Sequence, residues 1–309
     1  MIDWKLRSSG MGFMGREFET ANSRQFNMDM IPKTANSYGI VGDMERGLTR
    51  GEFLFVYQPR LRSGETKISG FDVLMRWRHP VDGLLEPSAF ISVVDNSRLA
   101  GNFTDLLLAH AIDMLSAWKA KGHDRLTLAV HLSVPELSRL DLPAKLRALL
   151  IERQLPADRL QIELTDVVEP AKLDFLEDAI NAVRATGVKV ALDNFGAGFT
   201  SLTLLHQLSV DILKIDGSLL RNVPQHAESR CILETLVRLG QRMGKQLVLQ
   251  GIETEYQYRW ARTLPGIECQ GYYISKPISL AGVDELLASS AGEFLDAGGS
   301  VPPSSTDPL

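Results

Sequence analysis

The 309-residue sequence has few cysteines and no long apolar run. Its two cysteines, Cys231 and Cys269, are too few for a disulfide scaffold, and their spacing fits no zinc motif. No stretch approaches the roughly 20 apolar residues of a membrane-spanning helix. The first residues lack the basic start and apolar run of a secretory signal. These absences predict a cytoplasmic protein with no membrane segment.

Basic residues are also in deficit. There are 33 Lys and Arg residues against 38 Asp and Glu residues, which gives a net charge of −5. Binding to nucleic-acid phosphates usually needs a basic face, and no basic helix or helix-turn-helix pattern is found. We therefore expect no direct DNA binding. The first strand is followed by no Gly-rich phosphate turn, which disfavours an open doubly wound sheet.

Strand-length apolar runs alternate with helical periods along most of the chain. The strand-like runs are 53–57, 67–76, 126–132, 160–164, 188–192, 211–215, 246–250 and a short one near residue 268. The helical runs are 104–118, 143–153, 173–186, 230–243, 255–263 and 280–288. Repeated βα units close most simply into a barrel of roughly 250 residues. The sequence predicts an α/β fold, a TIM-like (β/α)8 barrel.

The two ends of the chain differ from this middle part. Residues 1–42 are polar and lack a clear period, and residues 291–309 are rich in Gly, Pro and Ser. Such composition is typical of extensions and tails that bury little apolar surface. We predict an N-terminal extension over 1–42, a barrel domain over 43–290 and a disordered tail over 291–309.

Polar residues follow the apolar part of many predicted strands. In a parallel barrel, side chains at the C-terminal ends of the strands point into the functional site. This rule selects Arg76, His131, Glu163, Asp193, Asn194, Lys214, Gln250 and Gln270. Carboxylate and amide oxygens favour magnesium or manganese, and two such ions can clamp a phosphodiester. A nearby lysine would neutralise negative charge, although Lys214 could equally pair with Asp216 across a turn.

Several short strings resemble one known family. They are Tyr57-Gln58-Pro59, residues 70–80, Val130-His131-Leu132-Ser133, residues 163–166, residues 193–202, residues 213–217, residues 250–254, and Gln270-Gly271-Tyr272 before Pro277. In this order and spacing they resemble the EAL family. That resemblance implies a TIM-like barrel of the EAL type, binding of cyclic di-GMP, and its metal-dependent cleavage to the linear dinucleotide.

The departures from the family pattern concern its metal ligands. Asp72-Val73-Leu74 replaces Glu-Ala-Leu, and Asp is shorter than Glu by one methylene, roughly 1.5 Å. His131 replaces an Asn, and imidazole suits transition metals better than magnesium. Asn194 and Gln250 each replace a carboxylate. Asp166 replaces a Glu that the family resemblance makes a loop anchor.

The resemblance still allows a vestigial metal set. Its members would be Asp72, His131, Glu163, Asp193, Asn194 and Glu253, with Lys214 as a residual catalytic lysine. Because neutral amides hold hard dications less well than carboxylates do, we expect no cofactor, or magnesium or manganese if some activity remains. A zinc site built from the first three of these residues is an alternative.

Four positions match family residues that contact the dinucleotide. They are Gln58, Arg76, Asp216 and Gln270. Arg76 could hold a phosphate through two hydrogen bonds, and Asp216 and Gln270 could read guanine edges by hydrogen bonds. Each has an ordinary alternative: Asp216 could cap the turn before Gly217, and Arg76 could pair with a carboxylate at the barrel mouth.

The favoured functional prediction is a degenerate EAL protein. It would act as a negative regulator of gene expression through a protein partner, with or without cyclic di-GMP as effector, and it resembles stand-alone repressors, including the virulence-gene type. An active phosphodiesterase with altered ligands is the alternative. Residues 195–208 resemble the family's dimer contact, which leaves a homodimer open, although Leu204, Leu205 and Leu208 could equally be barrel core.

Overall fold

The computed structural model describes residues 37–65, 67–164, 173–196, 202–221, 223 and 226–289. The predicted C-terminal tail, Asp166 and most of the N-terminal extension lie outside these ranges. Helix α1, Ser37–Arg50, begins ahead of the boundary placed at residue 42. Its Ile40 and Met44, spaced four apart, pack into the core. The domain limits themselves stay a prediction.

Nine strands form one sheet. They are β1 Phe53–Arg62, β2 Ile68–His79, β3 Gly83–Leu85, β4 Thr127–Leu132, β5 Leu160–Leu164, β6 Lys189–Phe195, β7 Ile212–Ile215, β8 Gln246–Leu249 and β9 Ile267–Cys269. Their order is β1-β9-β8-β7-β6-β5-β4-β2-β3, and β1 also pairs with β2. This last pairing closes eight strands into a barrel, while β3 extends β2 outside it. The predicted TIM-like barrel is confirmed.

One strand of the barrel runs against the others. β1 is antiparallel to both β2 and β9, whereas β2 and β4–β9 pair in parallel. Residues 63–67 join β1 to β2, and so short a connection can link only antiparallel neighbours. Residues late in β1 therefore lie near the N-terminal ends of the parallel strands, so that Arg60 pairs with Gly70 at the start of β2.

Ten helices accompany the strands in the described ranges. After α1 they are α2 Ile91–Asp95, α3 Ala100–Ala120, α4 Val134–Leu137, α5 Leu142–Glu152, α6 Leu173–Arg184, α7 Leu202–Gln207, α8 Ala227–Arg242, α9 Glu255–Ala261 and α10 Leu280–Ser289. The six helices predicted from periodicity are present, with ends shifted by a few residues. Pro143 lies in the first turn of α5, as predicted, where its missing N–H costs no hydrogen bond.

A capping interaction sets the course of the chain after β8. Thr254 caps α9 in a reciprocal pair of hydrogen bonds with Gln257, which sets the course of the chain after β8. Leu204, Leu205 and Leu208 are buried in the core, which is the alternative that the sequence offered to a dimer contact.

Cys231 and Cys269 are both free thiols. Among the described residues, no helix combines the length and the apolar character that crossing a bilayer would require.

Asp211, between α7 and β7, ties the N-terminal ends of β6 and β7 to α6. Its carboxylate accepts two hydrogen bonds of 2.9 Å from Arg184 and one of 3.0 Å from the Val190 N–H. Burial alone would raise the pKa of Asp211, but these hydrogen bonds hold it below its ordinary value. A carboxyl group with a lowered pKa stabilises the fold above its unfolded-state pKa, and this contribution is lost as pH falls through the folded-state value.

We predict that Asp211→Asn lowers the free energy of unfolding at pH 7 by about 1.5–3 kcal/mol, the usual worth of hydrogen bonds to a charged group. The difference from wild type should shrink as pH falls below about 4, the ordinary pKa of Asp. Urea unfolding at several pH values measures it. Asp158→Asn is the matched control, since Asp158 is 57% exposed and 3.8 Å from Arg159 Nε. A deficit that stays constant down to low pH would contradict the prediction.

Candidate functional site

The polar residues selected from the strand ends largely converge at one end of the barrel. Adjacent parallel strands place Glu163 of β5 beside His131 of β4, their Cα atoms in register. Asp72, Asp193 and Lys214 come from β2, β6 and β7, while Gln250 and Gln270 directly follow β8 and β9. Alternate residues of a strand face the same side, so these side chains share the barrel interior.

Lys214 lies at the centre of this group. Its Nζ is 2.5 Å from Asp72 Oδ2 and 2.7 Å from Glu163 Oε2, and the lysine side chain is fully buried. Burial alone would lower the pKa of Lys214, but the carboxylates of Asp72, Glu163 and Asp193 raise it above its ordinary value. Lys214 is therefore a charged structural partner of two carboxylates, and its predicted alternative partner, Asp216, is engaged elsewhere.

His131 adds a second cation to the same carboxylate. Its Nε2 is 2.9 Å from Glu163 Oε2 and 3.9 Å from Asp193 Oδ2. Burial would lower the pKa of His131, but these two carboxylates raise it to about 9, so the ring is protonated at neutral pH. Burial alone would raise the pKa of Glu163, but the positive charges of Lys214 and His131 hold this pKa well below its ordinary value.

The two amides that replace family carboxylates both donate to Asp193. Gln250 Nε2 lies 3.0 Å from Asp193 Oδ1, and Asn194 Nδ2 lies 3.3 Å from Oδ2. Asn194 has φ +53, in the left-handed region that Asn tolerates better than most residues. Burial raises the pKa of Asp193, partly opposed by Lys214. Carboxylates at these two positions would repel Asp193, whereas the amides hydrogen-bond it.

Arg60 was not singled out from the sequence, yet it lies against two acidic residues of the barrel, Asp72 and Glu268. It is fully buried, with Nε 3.2 Å from Asp72 Oδ1. It also donates to Gln161 Oε1 at 2.7 Å and to Thr127 Oγ1 at 3.0 Å. Its partners lie far apart in sequence, so no local pattern reveals them. The one available signal is a charged residue between Pro59 and Leu61, in a strand whose first five residues are apolar or aromatic.

A cavity of about 540 Å³ opens beside these residues. Predicted residues on its wall are Gln58, Asn194, Asp216, Gln250, Glu253 and Gln270, and the remaining lining residues are Gly217, Ser218, Arg221, Gly251, Gln257, Gly271 and Tyr272. Arg221 and the 60% exposed Tyr272 were not predicted as site residues. Arg76 is not on this wall. Its guanidinium lies 3.5 Å from Glu86, the predicted pairing alternative.

Two loops touch along one wall of the cavity. Asp216 Oδ1 accepts a hydrogen bond of 2.8 Å from the Ser218 N–H and so caps the turn that begins at Gly217. A Cβ built on Gly217 would lie 2.7 Å from the Cα of Gly251, and one built on Gly251 would lie equally close to Gly217. Only glycine fits this backbone contact, and Gly251 also has φ +69.

The metal ligands that the resemblance implies were tested against this geometry. Asp72, His131 and Glu163 offer ligand atoms within 4.8 Å of one another, and Glu163 Oε1 is buried without a hydrogen-bond partner. However, two of these carboxylates already have cations of the protein against them. Lys214 lies against Asp72 and Glu163, His131 against Glu163, and Arg60 is shared between Asp72 and Glu268. Hard dications are held by negative oxygen ligands. As placed, these residues do not fit a pair of such ions.

The comparisons with known proteins agree with this architecture. Residues 41–277 match the family model described as the EAL domain. The chain belongs to the EAL domain family. An uncharacterized signaling protein of Caulobacter vibrioides shares 32% identity over 284 residues, which is 92% of this EAL chain and 34% of that protein. NbdA of Pseudomonas aeruginosa, named a cyclic di-GMP phosphodiesterase, shares 28% identity over 266 residues, 86% of this chain and 34% of NbdA. The chain thus spans about a third of the length of these two relatives.

Solved EAL structures have the same fold. The PaMucR phosphodiesterase in complex with c-di-GMP superposes with a TM-score of 0.73 at 26% identity, over 79% of this chain and 99% of that chain. The FimX EAL domain from Pseudomonas aeruginosa bound to c-di-GMP gives a TM-score of 0.69 over 77% of this chain and 96% of that chain. At 22% identity, the likeness to FimX concerns the fold alone.

The position of Lys214 between two carboxylates makes it a stabilising residue. We predict that Lys214→Met lowers the free energy of unfolding by about 3–5 kcal/mol, because it leaves Asp72 and Glu163 buried with less compensation. Urea unfolding followed by circular dichroism measures the loss. Lys121→Met is the control, since Lys121 pairs with Asp284 at the surface and is 51% exposed. Equal stabilities of the two variants would contradict a structural role for Lys214.

Proposed function

We propose that this EAL chain is a cyclic-di-GMP-responsive regulatory protein whose phosphodiesterase site is degenerate. One observation carries the proposal: two of the site carboxylates, Asp72 and Glu163, already contact cations of the protein. Lys214 bridges Asp72 and Glu163, His131 lies against Glu163, and Arg60 lies against Asp72. Two divalent ions would have to displace these cations, and the substituted amides offer no additional negative charge.

The ligand is suggested by relatives and by the size of the cavity. NbdA is named a cyclic di-GMP phosphodiesterase, and the PaMucR phosphodiesterase structure holds c-di-GMP. The cavity volume of about 540 Å³ lies within the usual range of ligand sites. Its wall supplies Arg221 as a cation for a phosphate and Tyr272 as a flat surface for a base. Gln58, Asp216 and Gln270 supply hydrogen-bonding groups.

A protein without turnover at this site would act through what it contacts. We propose a protein partner, a role as negative regulator of gene expression, and a cytoplasmic location. The net charge of −5 disfavours direct contact with DNA. A homodimer stays a prediction, as does the virulence-gene type of repressor.

One observation favours the alternative, an active metal-dependent phosphodiesterase with altered ligands. Asp72, His131 and Glu163 stand close enough to share an ion, and Glu163 Oε1 has an unfilled acceptor position. If His131 lost its proton, these three residues would make a mixed nitrogen and oxygen ligand set suited to a transition metal.

Two measurements separate the two functions. Titration calorimetry with cyclic di-GMP in calcium measures binding, and chromatography after addition of magnesium or manganese detects the linear product. We expect binding and no linear dinucleotide. Formation of the linear product at a useful rate would support the alternative enzyme. Absence of binding in every buffer would refute cyclic di-GMP as the effector and leave a protein-interaction role.

The exposed ring of Tyr272 gives a second prediction about this ligand. Stacking of a base on an aromatic side chain contributes about 1–3 kcal/mol, so Tyr272→Ala should weaken cyclic di-GMP binding by roughly five- to a hundredfold. Tyr256→Ala is the matched control, since Tyr256 is also exposed, at 47%, but does not line the cavity. Equal affinities of the two variants in the same calorimetric assay would contradict a stacking role.

A further inference from the structure

Asp72 stands where the family resemblance places a metal-ligating Glu, and its contacts suggest a different task. We propose that Asp72 is a positioning residue for the ligand: it fixes the side-chain amide of Gln270 with the carbonyl oxygen toward the cavity. That oxygen then selects a guanine base over an adenine. The inference rests on the proposed function, because it concerns which cyclic dinucleotide the cavity accepts.

The Asp72 carboxylate is held from two sides. Arg60 Nε lies 3.2 Å from Oδ1, and Lys214 Nζ lies 2.5 Å from Oδ2. Arg60 is itself anchored, and Gly70 leaves room for it, since a Cβ at Gly70 would come within 2.9 Å of the guanidinium. Asp72 therefore has a fixed place between two cations.

Gln270 is held by its backbone and by Asp72. Its N–H donates to the Leu249 carbonyl at 2.9 Å, and its carbonyl accepts from the Ile252 N–H at 3.1 Å. Its side chain is also buried, and its amide lies 2.8 Å from Asp72 Oδ2. A carboxylate accepts hydrogen bonds and cannot donate them, so the nitrogen of the amide must face Asp72.

This orientation leaves the carbonyl oxygen of Gln270 for the cavity, whose wall the residue lines. Among the described residues, no group donates a hydrogen bond to that oxygen. The carboxylates of Asp216 and Glu253 lie on the same wall, where Arg221 is the one cation among the described lining residues.

A fixed hydrogen-bond acceptor can distinguish the two purines by their edges. The Watson–Crick edge of guanine carries N–H donors at N1 and N2, whereas that of adenine carries its donor at N6, a lone pair at N1 and no polar group at C2. A Gln270 oxygen that faces N1 and N2 pairs with guanine and finds no hydrogen-bond donor on adenine. A site whose polar groups are left unpaired by the wrong ligand discriminates strongly against it.

The test compares dissociation constants for cyclic di-GMP and cyclic di-AMP, by calorimetry in EDTA, between wild type and Asp72→Asn. Asparagine can donate or accept, so Gln270 is free to turn over. We expect wild type to prefer cyclic di-GMP and the variant to lose about ten- to a hundredfold of that preference, from the cost of an unpaired group. Asp284→Asn is the surface control, and its preference should match wild type.

Equal weakening of both ligands by Asp72→Asn would show a merely structural role and overturn the inference, while the proposed function would stand. Failure of wild type to bind either ligand would overturn both the inference and the proposed function.

If Asp72→Asn does not fold, NMR of the Gln270 side-chain NH2 in wild type tests the orientation of this amide. Its protons should stay hydrogen-bonded to Asp72 when cyclic di-GMP is added. A large shift of this resonance on binding would mean that the nitrogen contacts the ligand, which overturns the orientation.

Discussion

The burial of Lys214 between Asp72 and Glu163 is the interaction on which the rest of the site depends. A fully buried ammonium is tolerated only where anions surround it at hydrogen-bonding distance. This requirement links β2, β5 and β7 through their side chains and occupies one oxygen of each carboxylate. The remaining charges are then arranged around the same core, with Arg60 on Asp72 and His131 on Glu163. The result is a site whose buried carboxylates Asp72 and Glu163 are paired with cations of the protein itself.

The sequence predicted the barrel because burial leaves a strong periodic signal in parallel strands and in the helices that cover them. It did not predict the direction of β1, because apolar periodicity is the same in either direction and only the short connection over 63–67 decides it. Elements such as α2, α4 and β3 are too short to show a period. The first six residues of helix α1, 37–42, were assigned to a polar extension, because so short a stretch shows no clear period.

The site was partly predictable for a related reason. The rule for strand ends applies to parallel strands, and it selected the residues that do meet, among them Glu163, Asp193 and Lys214. It could not select Arg60, because this residue lies on the antiparallel strand β1 and the rule covers only the C-terminal ends of parallel strands. It selected Arg76, but β2 continues to His79 to pair with β3, and the Arg76 side chain lies beside Glu86.

The contact between Gly217 and Gly251 has a consequence for how the cavity could change. Where two backbones touch without side chains, there are no rotamers through which that wall could adjust to a larger or smaller guest. Accommodation must then come from the exposed side chains of the rim, such as Tyr272 and Arg221. Divergence of this protein toward another ligand would therefore begin at the rim, while the glycine wall kept its shape.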